Sequence, residues 1–193
     1  MSALLQHDVL VVQQMRHVFN DTFDILGPDG YPIGFVVGQG SALRRLAAGT
    51  RELSVHETTP DPAGGLGPGQ RILTITDPFN FLRDTFEVHD DQGVLATITR
   101  RWSMFGNKLS IELPGYPAVE FRGDVFDFNA QIYVGEQVVA TIDRQFSGVL
   151  NELAGKQRYV ITFGQGLDLR LRAAILGAAI AADLIKSKDS RSS

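Results

Sequence analysis

The sequence predicts a mainly β fold, about twelve antiparallel strands closed into a barrel around one apolar C-terminal helix. Three observations carry this. Residues 167–185 read as a helix with no polar face, and Ala173 to Ala182 contain no charge. A helix apolar all round belongs in a core or a membrane. Nearly everything before it has the spacing of short strands separated by turn residues. A hairpin unit also recurs: Phe86-Glu87-Val88, a turn at Gly93, then Ala96-Thr97-Ile98-Thr99-Arg100-Arg101-Trp102-Ser103. Its second copy is Phe126-Asp127-Phe128, a turn at Gly135, then Ala140-Thr141-Ile142-Asp143-Arg144-Gln145-Phe146-Ser147. A weaker copy is Phe23-Asp24-Ile25, Gly30 and Ile33-Gly34-Phe35.

Taken in order, β-branched and aromatic runs predict strands at Val9–Gln13, Thr22–Leu26, Pro32–Val37, Glu52–His56, Ile72–Thr76 and Thr85–His89. Further strands are predicted at Val94–Arg100, Lys108–Leu113, Ala118–Phe121, Val125–Asn129, Gln137–Asp143 and Arg158–Phe163. Pro28-Asp29-Gly30 and Asp90-Asp91-Gln92-Gly93 supply tight turns, because Gly accepts φ > 0 and Asp bonds the turning backbone. Gly40–Ala48 fits a short helical turn. Thr58–Gln70 is rich in Gly and Pro and reads as a long flexible hairpin loop rather than a linker. Residues 1–186 are expected to form one domain, with 187–193 a disordered polar tail.

Repeated hairpins that each expose an apolar face must close on a common core, and closure removes sheet edges. A barrel this wide is not filled by its own side chains, so the helix is the expected plug. Leu169, Leu176, Ile180 and Leu184 fall on one arc of it, with Ala and Gly mostly opposite. Asp168 and Arg172, at i and i+4, are placed to pair near the mouth. The rival reading is a membrane span, suggested by the small-residue pattern Ala173, Gly177, Ala181. Ten uncharged residues fall short of the roughly 20 a bilayer needs, which favours the plug.

A net charge of −4 argues against nucleic acid and gives no global pull toward an anionic membrane. The absence of Cys removes disulfides, thiol nucleophiles and sulfur-ligated metals. The N-terminus lacks a secretory pattern, and the expectation is a cytoplasmic protein, peripheral at the inner membrane surface if it meets lipid.

The run Val138-Val139-Ala140-Thr141-Ile142-Asp143-Arg144-Gln145-Phe146-Ser147-Gly148-Val149-Leu150-Asn151-Glu152 resembles the late conserved block of the phospholipid scramblases. Leu167 through Asp183 resembles their C-terminal helix, and Phe23-Asp24-Ile25, Gly30 and Arg44-Arg45-Leu46 fit the family's opening. The resemblance spans about residues 8–185 and extends to the LURP-one-related proteins and the tubby C-terminal domain. It implies a twelve-stranded, tubby-like barrel around a central helix. Eukaryotic scramblases carry an acidic calcium-binding segment before that helix. Here Ala154-Gly155-Lys156-Gln157-Arg158-Tyr159 stands instead, cationic where oxygen ligands are needed, so calcium is not expected to bind. The family's cysteine cluster and proline-rich leader are also lacking.

No enzyme constellation is legible. His7, His17, His56 and His89 are dispersed without ligand spacing, and Asp90 and Asp91 read as turn formers. Gly38-Gln39-Gly40 is too short for a phosphate loop, and Trp102 and Phe146 read as core or rim aromatics. No catalytic residue, metal or cofactor is expected. The remaining candidates are basic: Arg44 and Arg45, Arg100 and Arg101, Lys156 and Arg158, whose charges suit phosphate. The leading expectation is a non-enzymatic scramblase-like domain that binds phospholipid headgroups or a membrane surface. The alternatives are a protein-interaction scaffold with no lipid role and a scramblase that moves lipids between leaflets.

Overall fold

The computed structural model describes residues 2–17, 20–39, 51–60, 64–78, 85–103, 106–125, 127–144 and 158–192. A 3₁₀ turn, Leu4–Gln6, precedes β1 (Val9–His17), β2 (Asn20–Leu26), β3 (Pro32–Gln39), β4 (Arg51–Pro60), β5 (Leu66–Asp77) and β6 (Thr85–His89). There follow β7 (Val94–Ser103), β8 (Gly106–Glu112), β9 (Val119–Asp124), β10 (Asn129–Val134), β11 (Gln137–Asp143), β12 (Arg158–Phe163) and α1 (Leu169–Ser192).

Each strand pairs antiparallel with its neighbours in sequence, and β1 closes on β12 through the register Val9↔Thr162 to Gln13↔Arg158. The result is a closed twelve-stranded barrel. The period of two sends Val12, Phe23, Ile25, Val36, Val55, Ile75, Phe86, Val88, Ile98, Phe121, Ile132, Ile142 and Ile161 into one core. The other half of that core is α1. Every residue from Leu171 to Ile185 is buried. A helix with its side chains is about 10–12 Å across, which a lumen of this strand number accommodates. At Gly177 an added Cβ would lie 2.6 Å from Val88 Cγ2, so here the helix backbone itself touches the wall.

The plug is tied at both ends. Asp168 caps its start, accepting from the backbone N–H of Arg170 at 2.9 Å and of Leu171 at 3.1 Å. The Tyr116 hydroxyl, from the β8–β9 turn, donates to the same carboxylate. The expected Asp168–Arg172 pair does not form. Arg172 instead turns inward and donates to the carbonyls of Leu167 (3.2 Å), Leu5 (3.3 Å) and His7 (3.0 Å), and to Asp8 Oδ1 at 2.6 Å. The cap has claimed the carboxylate, and five donors on a buried guanidinium need several acceptors.

Burial opposes the charge on Asp168, but the Tyr116 hydroxyl and the two backbone N–H donors outweigh it and lower its pKa below the usual value. Asp168→Ala is expected to cost about 0.5–2 kcal/mol at neutral pH, the worth of an N-cap. A depressed folded-state pKa stabilises above the unfolded value and is lost as pH falls through the folded one. The difference between parent and variant in thermal melts should therefore be full at neutral pH and shrink below about pH 4.

Two expectations are corrected. The strand at Val125–Asn129 is absent. Phe128 has a left-handed φ of 54°, and the segment is a turn before β10. Asp127 and Phe128 of the second repeat's signature thus fall on that turn. Gly123, at φ 120°, lets β9 approach there, since a Cβ would sit 2.6 Å from the Asn129 carbonyl oxygen. The long flexible loop at Thr58–Gln70 is largely paired instead, with Thr58↔Pro68, Thr59↔Gly67 and Pro60↔Leu66 continuing the hairpin. α1 itself extends to Ser192. Asp189 accepts both arms of the buried Arg100 fork, at 3.2 and 2.9 Å, which anchors that extension. The helical turn expected at Gly40–Ala48 lies outside the described residues.

Candidate functional site

Antiparallel alternation gives the barrel two chemically different mouths. The helix starts at one, among the β2–β3, β4–β5, β6–β7, β8–β9 and β10–β11 turns. It ends at the other, where β3–β4, β7–β8 and β11–β12 are joined. Of the six basic candidates, Arg100, Arg101 and Arg158 belong to strand ends of this second mouth. Arg44, Arg45 and Lys156 lie outside the described residues. The strand ends that flank them, Gln39 and Arg51 on one side and Asp143 and Arg158 on the other, are at this mouth.

Of the remaining three, Arg100 leaves the group. It is buried on the lumen side of β7, and its fork is committed to Asp189 of α1. Its neighbour Arg101 occupies the next position of the strand, in register with Lys108 of β8. Lys108 is exposed and was not singled out in the sequence. The cross-strand register that adds it to the site is set by a hairpin whose turn residues carry no recognisable pairing signal. Arg158 is half-buried on β12, in register with Gln13 of β1.

Arg144 and Lys186 also stand at this mouth, sharing Asp127 Oδ1 at 3.8 and 3.1 Å. Cations here also suit the negative end of the α1 dipole. Deeper in, the Tyr159 ring stacks on Phe128 with centroids 4.2 Å apart. Burial, and then the nearby charge of Asp183, push the Tyr159 hydroxyl well above its ordinary pKa. That group stays protonated at neutral pH and belongs to the core.

Other sequence candidates have structural partners. His56 Nδ1 meets the Gly69 carbonyl at 3.0 Å, and its Nε2 meets Ser54 Oγ at 2.9 Å. His89 Nε2 lies 3.1 Å from Glu87 and 3.3 Å from Thr76 Oγ1. Asp90 Oδ1 accepts the Gln92 N–H at 2.8 Å and shapes the turn. Among the described residues no three His, Asp or Glu side chains gather in a way that could hold a metal ion. A groove of about 490 Å³ runs along the outside of β7–β9, lined by Thr97, Ser110, Glu112, Tyr116, Pro117 and Glu120. Two of its polar groups are spent on the sheet itself, Ser110 Oγ on the Thr99 carbonyl and Glu120 on Arg122.

Around the second mouth, the strand pairs β3 with β4, β7 with β8 and β11 with β12 are four strands apart in a twelve-strand ring. They stand about a third of the circumference from one another, like the three hairpin copies seen in the sequence. Among the described residues, Arg101, Lys108, Arg144, Arg158 and Lys186 stand at this mouth with Asp127 and Asp143 between them, and Arg100 paired with Asp189 of α1 lies further in.

Neither the curated proteins nor the solved structures contain a match to this chain. The LURP-one-related profile matches residues 8–179, nearly the whole barrel and the first half of its plug, and the chain belongs to the LURP-one-related family.

Proposed function

We propose that this is a non-enzymatic domain that lays the mouth at the end of α1 on an anionic phospholipid surface. The observation that carries the reading is the distribution of charge. Among the described residues Arg101 with Lys108, Arg158, Arg144 and Lys186 stand at one mouth, and the sequence adds Arg44, Arg45 and Lys156, which lie outside the described residues. A planar array of phosphates is the partner that such a set fits. Scramblase-like and tubby-like relatives, to which the sequence is similar, make lipid a natural partner class for a barrel of this kind. Movement of lipid between leaflets is the less favoured reading. It would ask the plug to leave a lumen in which Ile175, Leu176 and Ile180 are wholly enclosed. Among the described residues no helix is long and apolar enough to cross a membrane.

Co-sedimentation with vesicles tests the proposal. Binding should appear when phosphatidylserine is added to phosphatidylcholine and weaken as salt screens the contacts. Each basic residue near the surface is worth about 1 kcal/mol, so Arg45→Glu, Arg101→Glu and Lys156→Glu should each lower affinity at least about fivefold. A chelator should change nothing, since Lys156 and Arg158 would repel a divalent ion. Equal binding to neutral vesicles, or indifference to all three reversals, overturns the reading.

A further inference from the structure

The opposite mouth has a second surface of a different kind. Among the described residues the exposed large apolar side chains are Tyr31, Leu66, Val94 and Val138, and all four stand at hairpin ends of this mouth. Tyr31 is 71% exposed and Val94 54%, although solvent offers these side chains no partner. Carboxylates alternate with them: Asp29 in the Tyr31 turn, Asp90 and Asp91 before Val94, and Glu136 before Val138.

Beside them a cleft of about 230 Å³ opens next to the start of α1. Its floor is apolar, made by Leu5, Leu73, Leu95 and Leu169, and Asp90 and Asp91 stand on its lip. The volume takes one side chain of leucine to phenylalanine size. Arg71 and Arg170 are also on its rim, where they can donate to main-chain carbonyls.

We propose that this mouth docks a cationic segment of a partner protein. One large apolar residue of the partner fills the cleft, and its basic residues lie against Asp29, Asp90 and Asp91. Charge decides between occupants. Apolar hairpin tips alone would suit a membrane as well as a protein, but tips interleaved with carboxylates are repelled by anionic lipid and attract a basic partner. A buried apolar anchor ringed by polar contacts is how such segments gain affinity. The proposal goes beyond the lipid reading and concerns the other end of the barrel.

Fluorescence anisotropy with the full chain tests it, using a labelled amphipathic peptide with leucine on one face and lysine on the other. The probe should bind, and an otherwise identical peptide with glutamate for lysine should not. Asp90→Asn with Asp91→Asn should weaken binding about tenfold, as should Tyr31→Ser with Val94→Ser. Tyr31, Val94 and Asp91 are exposed, and asparagine at 90 keeps the Oδ1 that accepts the Gln92 N–H, so melting temperatures should stay close to the parent's, which separates lost binding from lost folding. Arg101→Glu and Lys108→Glu should leave peptide binding intact while reducing vesicle binding, so the two readings fail separately. The proposal is overturned if both peptides bind alike or neither binds. It is equally overturned if the serine pair has no effect, showing charge attraction alone. Loss of phosphatidylcholine vesicle attachment in the serine pair would make the occupant a membrane. Loss of a dimer in that variant would make it a second copy of this chain.

Discussion

Gly177→Leu is expected to abolish cooperative folding. A single Cβ at this position would stand 2.6 Å from Val88 Cγ2 and 3.0 Å from Cγ1, inside any normal contact distance. Val88 cannot turn away cheaply. It is β-branched, fully buried on β6 and packed into the common core. Helix propensity works the other way, since replacing a mid-helix Gly gains up to about 1 kcal/mol. Overpacking a filled interior costs about 1–3 kcal/mol for ordinary insertions, and four added carbons on the axis of a closed barrel exceed the ordinary case. Against a total stability of about 5–15 kcal/mol, steric cost decides the sign. Gly177→Ala should lower the melting temperature by a smaller amount, and Val88→Ala should restore part of that loss, a non-additivity read directly from the double variant. Parent-like melting of Gly177→Leu would show that the helix does not lie against β6.

Ala178→Asp is expected to be equally severe, with a pH signature that steric change lacks. Ala178 is fully buried among apolar residues. An ionised carboxylate there loses its hydration, and an uncompensated buried charge costs about 3–5 kcal/mol. The group escapes part of this by keeping its proton, which raises its folded-state pKa above the unfolded value near 3.9. A raised pKa gives its stability below the unfolded value and loses it as pH rises through the folded one. The variant's deficit relative to the parent should therefore be smallest in acid and widen toward neutral pH. Ala178→Asn, of similar size and uncharged, should show a deficit that is flat over the same range. Melts of all three proteins across pH distinguish charge from shape.

The barrel was legible because its signals are local. Alternation over β6, β11 and β12 sets strand bounds that agree with the structure to the residue. A turn at each of Gly30, Gly93 and Gly135 requires only a left-handed φ, which all three adopt. The plug was legible from composition, because a helix that is apolar all round has few places to go. The misplaced strand at Val125–Asn129 shows where local signals fail. Phe126-Asp127-Phe128 has the same composition as the strand opening Phe86-Glu87-Val88. The hairpin after it is tighter, however, with Val134↔Gln137 pairing directly while His89↔Val94 spans four turn residues. The pairing stands four residues further along, with Ile132 opposite Ala140 where Val88 is opposite Ala96, and Phe128 falls before the strand.

What the sequence determined by itself was the inventory: strands of period two, hairpin turns and one helix for the lumen. The tertiary structure alone decided which charges are available. Arg100 and Arg101 are adjacent in sequence, yet the pleat sends the first to the lumen, where Asp189, 89 residues away, takes both of its arms. Asp168 and Arg172 had the spacing to pair, yet the cap and Tyr116 claimed one while Leu5, His7 and Asp8 claimed the other. A side chain's partner depends on which strands closure brings alongside it, and that information is non-local. Closure also sorts the turns into two sets, placing Arg101, Lys108 and Arg158 at one mouth and Asp29, Asp90, Asp91 and the bare apolar tips at the other. No window along the chain contains that division, because it arises only when strand order is bent into a ring.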